Sequence, residues 1–164
     1  VARRTDRPRT RPPLDRRSRS SSADGGVPEE PMRDAFRSCG LNLGLAFQLV
    51  DDALDYSGSK ENLGKNVGDD FHEGKITLPV LLAYRRGNES ERQYWRTVME
   101  SDSASTDELA TATDLLRKHG AITDTVARAR HYGEIARDAL APLPQTAHKE
   151  ALLDVVDFCV SRVN

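Results

Sequence analysis

The chain has 164 residues, 37% of them hydrophobic, and a formal net charge of −2, which suits one ordinary domain. The charge is unevenly placed: residues 1–20 hold eight arginines, three prolines and two carboxylates, and the rest holds sixteen basic and twenty-four acidic residues. An acidic body excludes an extended nucleic-acid surface, and two isolated cysteines, Cys39 and Cys159, exclude a disulfide framework or a zinc site.

Residues 1–31 read as a low-complexity arm rich in Arg, Ser and Pro, with too little apolar surface to offset the entropy of ordering it. Its basic part, 1–20, has no aromatic residue to stack on bases and no lysine, so no nucleic-acid partner is expected. Arginine without lysine, a Val start and a first Met at Met32 fit a fragment or a misread chain start better than a functional tail. A targeting helix is disfavoured by the prolines. The longest strongly apolar run, 76–83, is much too short to span a bilayer. The expectation is a soluble, cytoplasmic protein with reduced thiols, whose structured region is 32–164.

Helical periodicity dominates that region. Phe36, Leu43, Phe47, Val50 and Leu54 recur at helical spacing, broadened by Ala35, Cys39 and Ala46, and predict a long helix over 32–56. Gly40 and Gly44 cost about 1 kcal/mol each relative to Ala, a cost that close approach of another helix can offset. Residues 57–74 read as a polar loop. A second helix is expected over 77–86, with the Thr77 hydroxyl as cap, Pro79 in the first turn and Gly87 as the stop. Further helices are expected at 89–99, 106–119, 122–140 and 146–162, the last three separated by Gly120 and by Pro142-Leu143-Pro144. No β alternation appears. The fold class is all-α, an antiparallel helical bundle, and the apolar first helix suits the centre of a larger bundle.

The chemistry is concentrated in Phe47-Gln48-Leu49-Val50-Asp51-Asp52-Ala53-Leu54-Asp55 and the loop that follows. Asp51 and Asp55 are four apart, so on a helix their Cβ atoms stand about 5–6 Å apart and both can address one ion or its water shell. Asp52 is rotated by about a quarter turn and suits a flanking role. Such a cluster is also compatible with a solvated helix face, but Leu49, Val50 and Leu54 place it at a core edge, where repelling carboxylates favour a cation. Magnesium takes one or two carboxylates together with waters and phosphates. Lys65 and Lys75 are either surface lysines or phosphate ligands; Gly64, Gly68 and Gly74 beside them allow close approach to a ligand. Asp70 either folds the loop back or joins the outer shell of the ion, and His72 reads as an ordinary loop histidine. Gln48 can face a developing positive charge or hydrogen-bond within the bundle. Phe47 can line an apolar cavity or belong to the core.

In order and spacing, Gly44-x-x-Phe47-Gln48-x-x-Asp51-Asp52-x-x-Asp55, Gly64-Lys65-x-x-Gly68-x-Asp70 and Gly74-Lys75-x-Thr77-Leu78-Pro79 resemble the second aspartate-rich region of trans-isoprenyl diphosphate synthases. The stretch 42–56 and the ending Phe158-Cys159-Val160-Ser161-Arg162 are similar to the long-chain enzymes that make octaprenyl or decaprenyl diphosphate for quinone side chains. The resemblance covers about 32–164 and implies the C-terminal half of an isoprenoid-synthase fold. It implies a prenyltransferase that elongates an allylic diphosphate with isopentenyl diphosphate, uses Mg2+, and acts as a homodimer or heteromer. It makes Asp51 the main metal ligand, supported by Asp52 and Asp55, with Lys65 and Lys75 serving the leaving diphosphate and Gln48 near the allylic carbon. The family's first aspartate-rich motif is absent, so little or no turnover is expected of this chain alone. A non-catalytic subunit of a heteromeric synthase, or a bundle that only binds magnesium diphosphate, are the alternatives.

Overall fold

The computed structural model describes residues 29–57, 68–100 and 105–163, and among these it contains seven helices and no strand. They are α1 (Glu29–Leu54), α2 (Asp69–His72), α3 (Leu78–Arg86), α4 (Glu89–Met99), α5 (Thr106–Lys118), α6 (Ala121–Ala139) and α7 (Ala147–Ser161). Residues 1–28 of the expected arm, and Gly64 and Lys65, lie outside the described residues.

Local chemistry sets most boundaries. Asn88 accepts from the Glu91 N–H at 3.0 Å while the Glu91 carboxylate accepts from the Asn88 N–H at 2.9 Å, a reciprocal cap that starts α4. Ser105 and Glu108 do the same for α5. In α3, by contrast, Thr77 stands at the N-cap without capping through its side chain. Its hydroxyl is buried instead, close to the Tyr56 hydroxyl, and neither makes a well-formed hydrogen bond among the described residues. Pro79 still falls in the first turn, where its missing N–H is harmless. The part of the expected loop nearest α3 is not irregular: Asp69–His72 forms the single turn α2, entered through Gly68 at φ 85°. A side chain there meets both a left-handed backbone and the Leu109 methyls, 2.6 Å from an added Cβ.

Two cores hold the bundle. Tyr56, Phe71, Val80, Trp95, Val98 and Leu116 gather around one end, with Ala121 at the start of α6. Ala35 and Cys39 from the start of α1 meet Ala136, Leu140, Leu143 and Val156 at the other. The start of α1 therefore packs on the end of α6, and the two helices run antiparallel. Burying a side chain such as Phe71 or Leu116 contributes about 1.5–3 kcal/mol. Between α6 and α7, Gly133 lets Val160 come so near that an added Cβ lies 2.7 Å from its methyl. The turn after α6 is tied by Lys149, buried, whose ammonium donates to the carbonyls of Ala141 (3.2 Å) and Leu143 (2.9 Å).

The buried stripe of α1 keeps Ala35, Cys39, Ala46 and Val50 as expected but leaves out the two phenylalanines. Ala35, Cys39, Ala46, Val50 and Ala53 face inward, whereas Phe36 (47% exposed) and Phe47 (48% exposed) do not. Each phenylalanine is one residue past a buried small one, hence about 100° around the helix. Small residues win the inward positions because α6 also buries Ala129, Gly133 and Ala136, and short side chains on both helices let their axes approach. Gly40 and Gly44 have no neighbouring atom within 4 Å of an added Cβ, so nothing among the described residues uses the close approach expected there. The outward face of α1 carries Phe36, Leu41, Leu45 and Phe47, and α7 adds Val155 and Phe158, all largely exposed.

Candidate functional site

The three acids of α1 lie at its C-terminal end, where the chain turns. The Asp55 N–H still bonds back to the Asp51 carbonyl at 3.1 Å, so the one-turn spacing of Asp51 and Asp55 is real although α1 ends at Leu54.

Each of their side chains meets different partners. Asp51 Oδ1 accepts from Arg162 Nη2 at 3.0 Å. Asp52, buried, accepts from the Gln48 amide at 2.8 Å and from the backbone N–H of Leu78. Asp55 Oδ2 accepts from the Asp70 N–H at 3.2 Å, while the Gly68 N–H bonds to the Asp55 carbonyl at 2.9 Å. It is thus Asp55 that draws the loop back onto α1. The Asp70 carboxylate instead accepts from the Lys75 ammonium at 2.8 Å, with Glu73 on the same ammonium at 2.7 Å.

Electrostatics follow from this packing. Burial, then the neighbouring Asp70, pushes the Asp55 carboxyl up to about 6. Burial also raises Asp52, against the lowering effect of the Gln48 hydrogen bond. The hydrogen bonds from Lys75 to Asp70 and Glu73 hold its ammonium well above the usual lysine range, and Lys75 remains exposed. The Tyr56 hydroxyl, buried beneath the acids, is raised by desolvation.

Of the expected site residues, Gln48, Asp51, Asp52, Asp55 and Lys75 are brought to one end of the bundle, and Lys65 lies outside the described residues. Gln48 donates to Asp52. The Phe47 ring lies under the Arg162 guanidinium, 5.0 Å from centroid to Cζ. An apolar cavity of about 310 Å3 exists between α3 and α4, lined by Ile76, Val80, Leu81, Tyr84, Trp95 and Met99 among others, and neither Phe47 nor the three acids of α1 reach it. His72 ends α2, its ring edge-on to Phe71 at 5.9 Å. Sequence reasoning assigned no role to Arg162. Its only signal was a basic residue closing the last helix of an acidic body.

Among the described residues, no three Asp, Glu, His or Cys side chains are grouped to hold one metal ion. A closed cage is therefore not what these residues build. They do suit a hard cation that takes one or two carboxylates and fills its remaining positions with water and phosphate. Asp51 already attracts a cationic group, and the mutual repulsion of Asp55 and Asp70 is what a cation relieves.

Residues 21–116 match the polyprenyl synthetase family. The octaprenyl diphosphate synthase of Haemophilus influenzae is 38% identical over 133 residues, 81% of this chain and 40% of that protein. Two solved structures superpose with TM-scores of 0.75, each covering 85% of this chain and 42% of the other. They are a Caulobacter crescentus polyprenyl synthase complexed with calcium and isoprenyl diphosphate, 45% identical, and a Rhodobacter capsulatus decaprenyl diphosphate synthase, 41% identical. The chain spans about two fifths of the length of these relatives. Its all-helical architecture, its acid cluster and these matches agree: the chain belongs to the polyprenyl synthetase family.

Proposed function

We propose that the chain supplies the diphosphate-ionising part of a long-chain trans-polyprenyl diphosphate synthase, acting on an allylic diphosphate and isopentenyl diphosphate with Mg2+. The observation that carries this reading is the gathering of Asp51, Asp52 and Asp55 with the Asp70–Lys75 pair at one end of the bundle. Bound Mg2+ offsets the charge of the diphosphate as the allylic carbon–oxygen bond breaks. Asp51 and Asp55 hold the ion, and Asp52, tied to Gln48 and Leu78, sets the orientation of the helix end. Lys75, kept protonated and exposed by Asp70 and Glu73, offers its charge to the departing oxygens. Lys65 serves the same group, and Gln48 lies on the side of the allylic carbon. The half-exposed ring of Phe47 forms part of the apolar wall of a cavity that further helices complete. The electron pair leaves with diphosphate, the isopentenyl double bond forms the new carbon–carbon bond, and a proton is lost. The product class is a long-chain polyprenyl diphosphate of the kind used for quinone side chains, made in the cytoplasm by a homodimer.

The test supplies the purified chain with farnesyl diphosphate, labelled isopentenyl diphosphate and Mg2+, alone and co-expressed with the N-terminal region of the Haemophilus relative. Little product is expected alone, and long-chain product together, abolished by Asp51→Ala. No product together, with no Mg2+-dependent pyrophosphate binding, removes the reading. A second reading, a binding subunit of a heteromeric synthase, is favoured by the exposed apolar face of α1 and α7. Stable co-purification with a second synthase chain, without turnover, selects it.

A further inference from the structure

Asp51, placed above as the main metal ligand, is occupied by a cation of the chain itself. Arg162 follows the last residue of α7 and stands at its C-cap, yet its guanidinium reaches across to α1. There it is held from two sides: Nη2 lies 3.0 Å from Asp51 Oδ1, and Cζ lies 5.0 Å from the centroid of the Phe47 ring. Phe47 and Asp51 are four apart on α1, so ring and carboxylate sit one above the other and form a clamp. The Arg162 side chain is only 16% exposed, which strengthens both the charged hydrogen bond and the cation–π contact relative to a solvated pair.

We propose that Arg162 is the resident counter-cation of the carboxylate cluster, and that a divalent ion binds Asp51 by displacing it. The inference rests on the reading of Asp51 as a metal ligand. A divalent ion on either oxygen of Asp51 stands a short distance from a guanidinium bound to the other, and like charges at that range in a partly dry site repel. The two cations therefore compete for the carboxylate, which favours the departure of one. Arg162 is the one that can, because it lies past the last helical residue and its departure breaks no hydrogen bond within α7. While in place it keeps the carboxylate paired; when displaced it frees the last turn. Metal binding and loosening of the C-terminus are therefore one event.

The test titrates Mn2+ alone into the full chain, counting free ion by electron paramagnetic resonance, for wild type, Arg162→Gln, Arg162→Lys and Phe47→Leu. Arg162→Gln should bind Mn2+ about three- to tenfold more tightly, the size of a part-buried ion pair. Arg162→Lys should stay near wild type and Phe47→Leu should fall between. Hydrogen exchange should show residues 160–163 of wild type less protected when saturated with Mn2+. Wild-type binding with unchanged or weaker affinity in Arg162→Gln overturns the inference and leaves the metal reading standing. No binding in any variant overturns both. If Arg162→Gln fails to fold by circular dichroism, Phe47→Leu and the exchange measurement decide.

Discussion

Replacing Asp55 by Asn should stabilise the metal-free fold and weaken the site. Asn keeps the shape and can still accept from the Asp70 N–H, so the change removes charge alone. The carboxyl is raised from 3.8 to about 6 by burial and by Asp70. At about 1.36 kcal/mol per pKa unit that shift bounds the cost of ionised Asp55 at about 3 kcal/mol, and solvent screening of a half-buried group reduces it to roughly 1–2 kcal/mol. The sign follows from linkage. A raised acid costs nothing well below its unfolded value of 3.8, where both folded and unfolded chains hold the proton. The cost grows as pH rises to about 6 and is constant above. Thermal unfolding in EDTA should therefore show Asp55→Asn melting about 3–8 °C higher than wild type at pH 8, with the gap shrinking as pH falls through about 6 toward 4 and closing about one unit below 3.8. Saturating Mg2+ with pyrophosphate should narrow or reverse the gap, because wild type binds more tightly and gains more. A variant less stable at pH 8, or a gap independent of pH, refutes the view that Asp55 is strained by uncompensated charge.

Lys75→Ala should leave thermal stability nearly unchanged, since its ion pairs are exposed, yet weaken Mg2+–pyrophosphate binding about tenfold by calorimetry. Glu91, held down at about 2 first by the hydrogen bond from Lys118 and then by the cap to Asn88, contributes stability that is present above pH 4.5 and lost as pH falls toward 2. Acid unfolding of Glu91→Gln should show a deficit at pH 6 that shrinks over this window. Lys149→Met removes the donor to two carbonyls of the turn after α6 and should cost about 1–3 kcal/mol in urea unfolding.

The helices were legible where local signals agree. The bounds of α4 follow from Gly87, from Asn88 and Glu91 capping each other, and from a short amphipathic run, and nothing distant changes them. The acids were legible because four-residue spacing on a helix is itself geometry. In the inward stripe of α1, Ala35, Cys39, Ala46 and Val50 were legible, whereas Phe36 and Phe47 were misplaced, because hydrophobicity marks them as apolar without saying which neighbour they meet. The close packing of α6 reserved the inward positions for Ala35, Cys39 and Ala46. The capping role of Thr77 failed for a similar reason, since packing turned its hydroxyl inward. The Arg162–Asp51 pair and the Asp55–Asp70 bond join residues that only the tertiary fold brings together, and no spacing announces them. The sequence leaves Asp70 between folding the loop back and joining the outer shell of the ion; in the fold its N–H is donor to Asp55 and its carboxylate serves Lys75.

Calorimetric titration of inorganic pyrophosphate into the full chain, with 5–10 equivalents of Mg2+ or with EDTA, tests the central assignment most directly, with Asp51→Ala beside it as a folded control checked by circular dichroism. The account predicts binding in Mg2+, none in EDTA, and at least about a tenfold loss in Asp51→Ala. Equal binding with and without Mg2+, or an Asp51→Ala variant that binds like wild type, contradicts it.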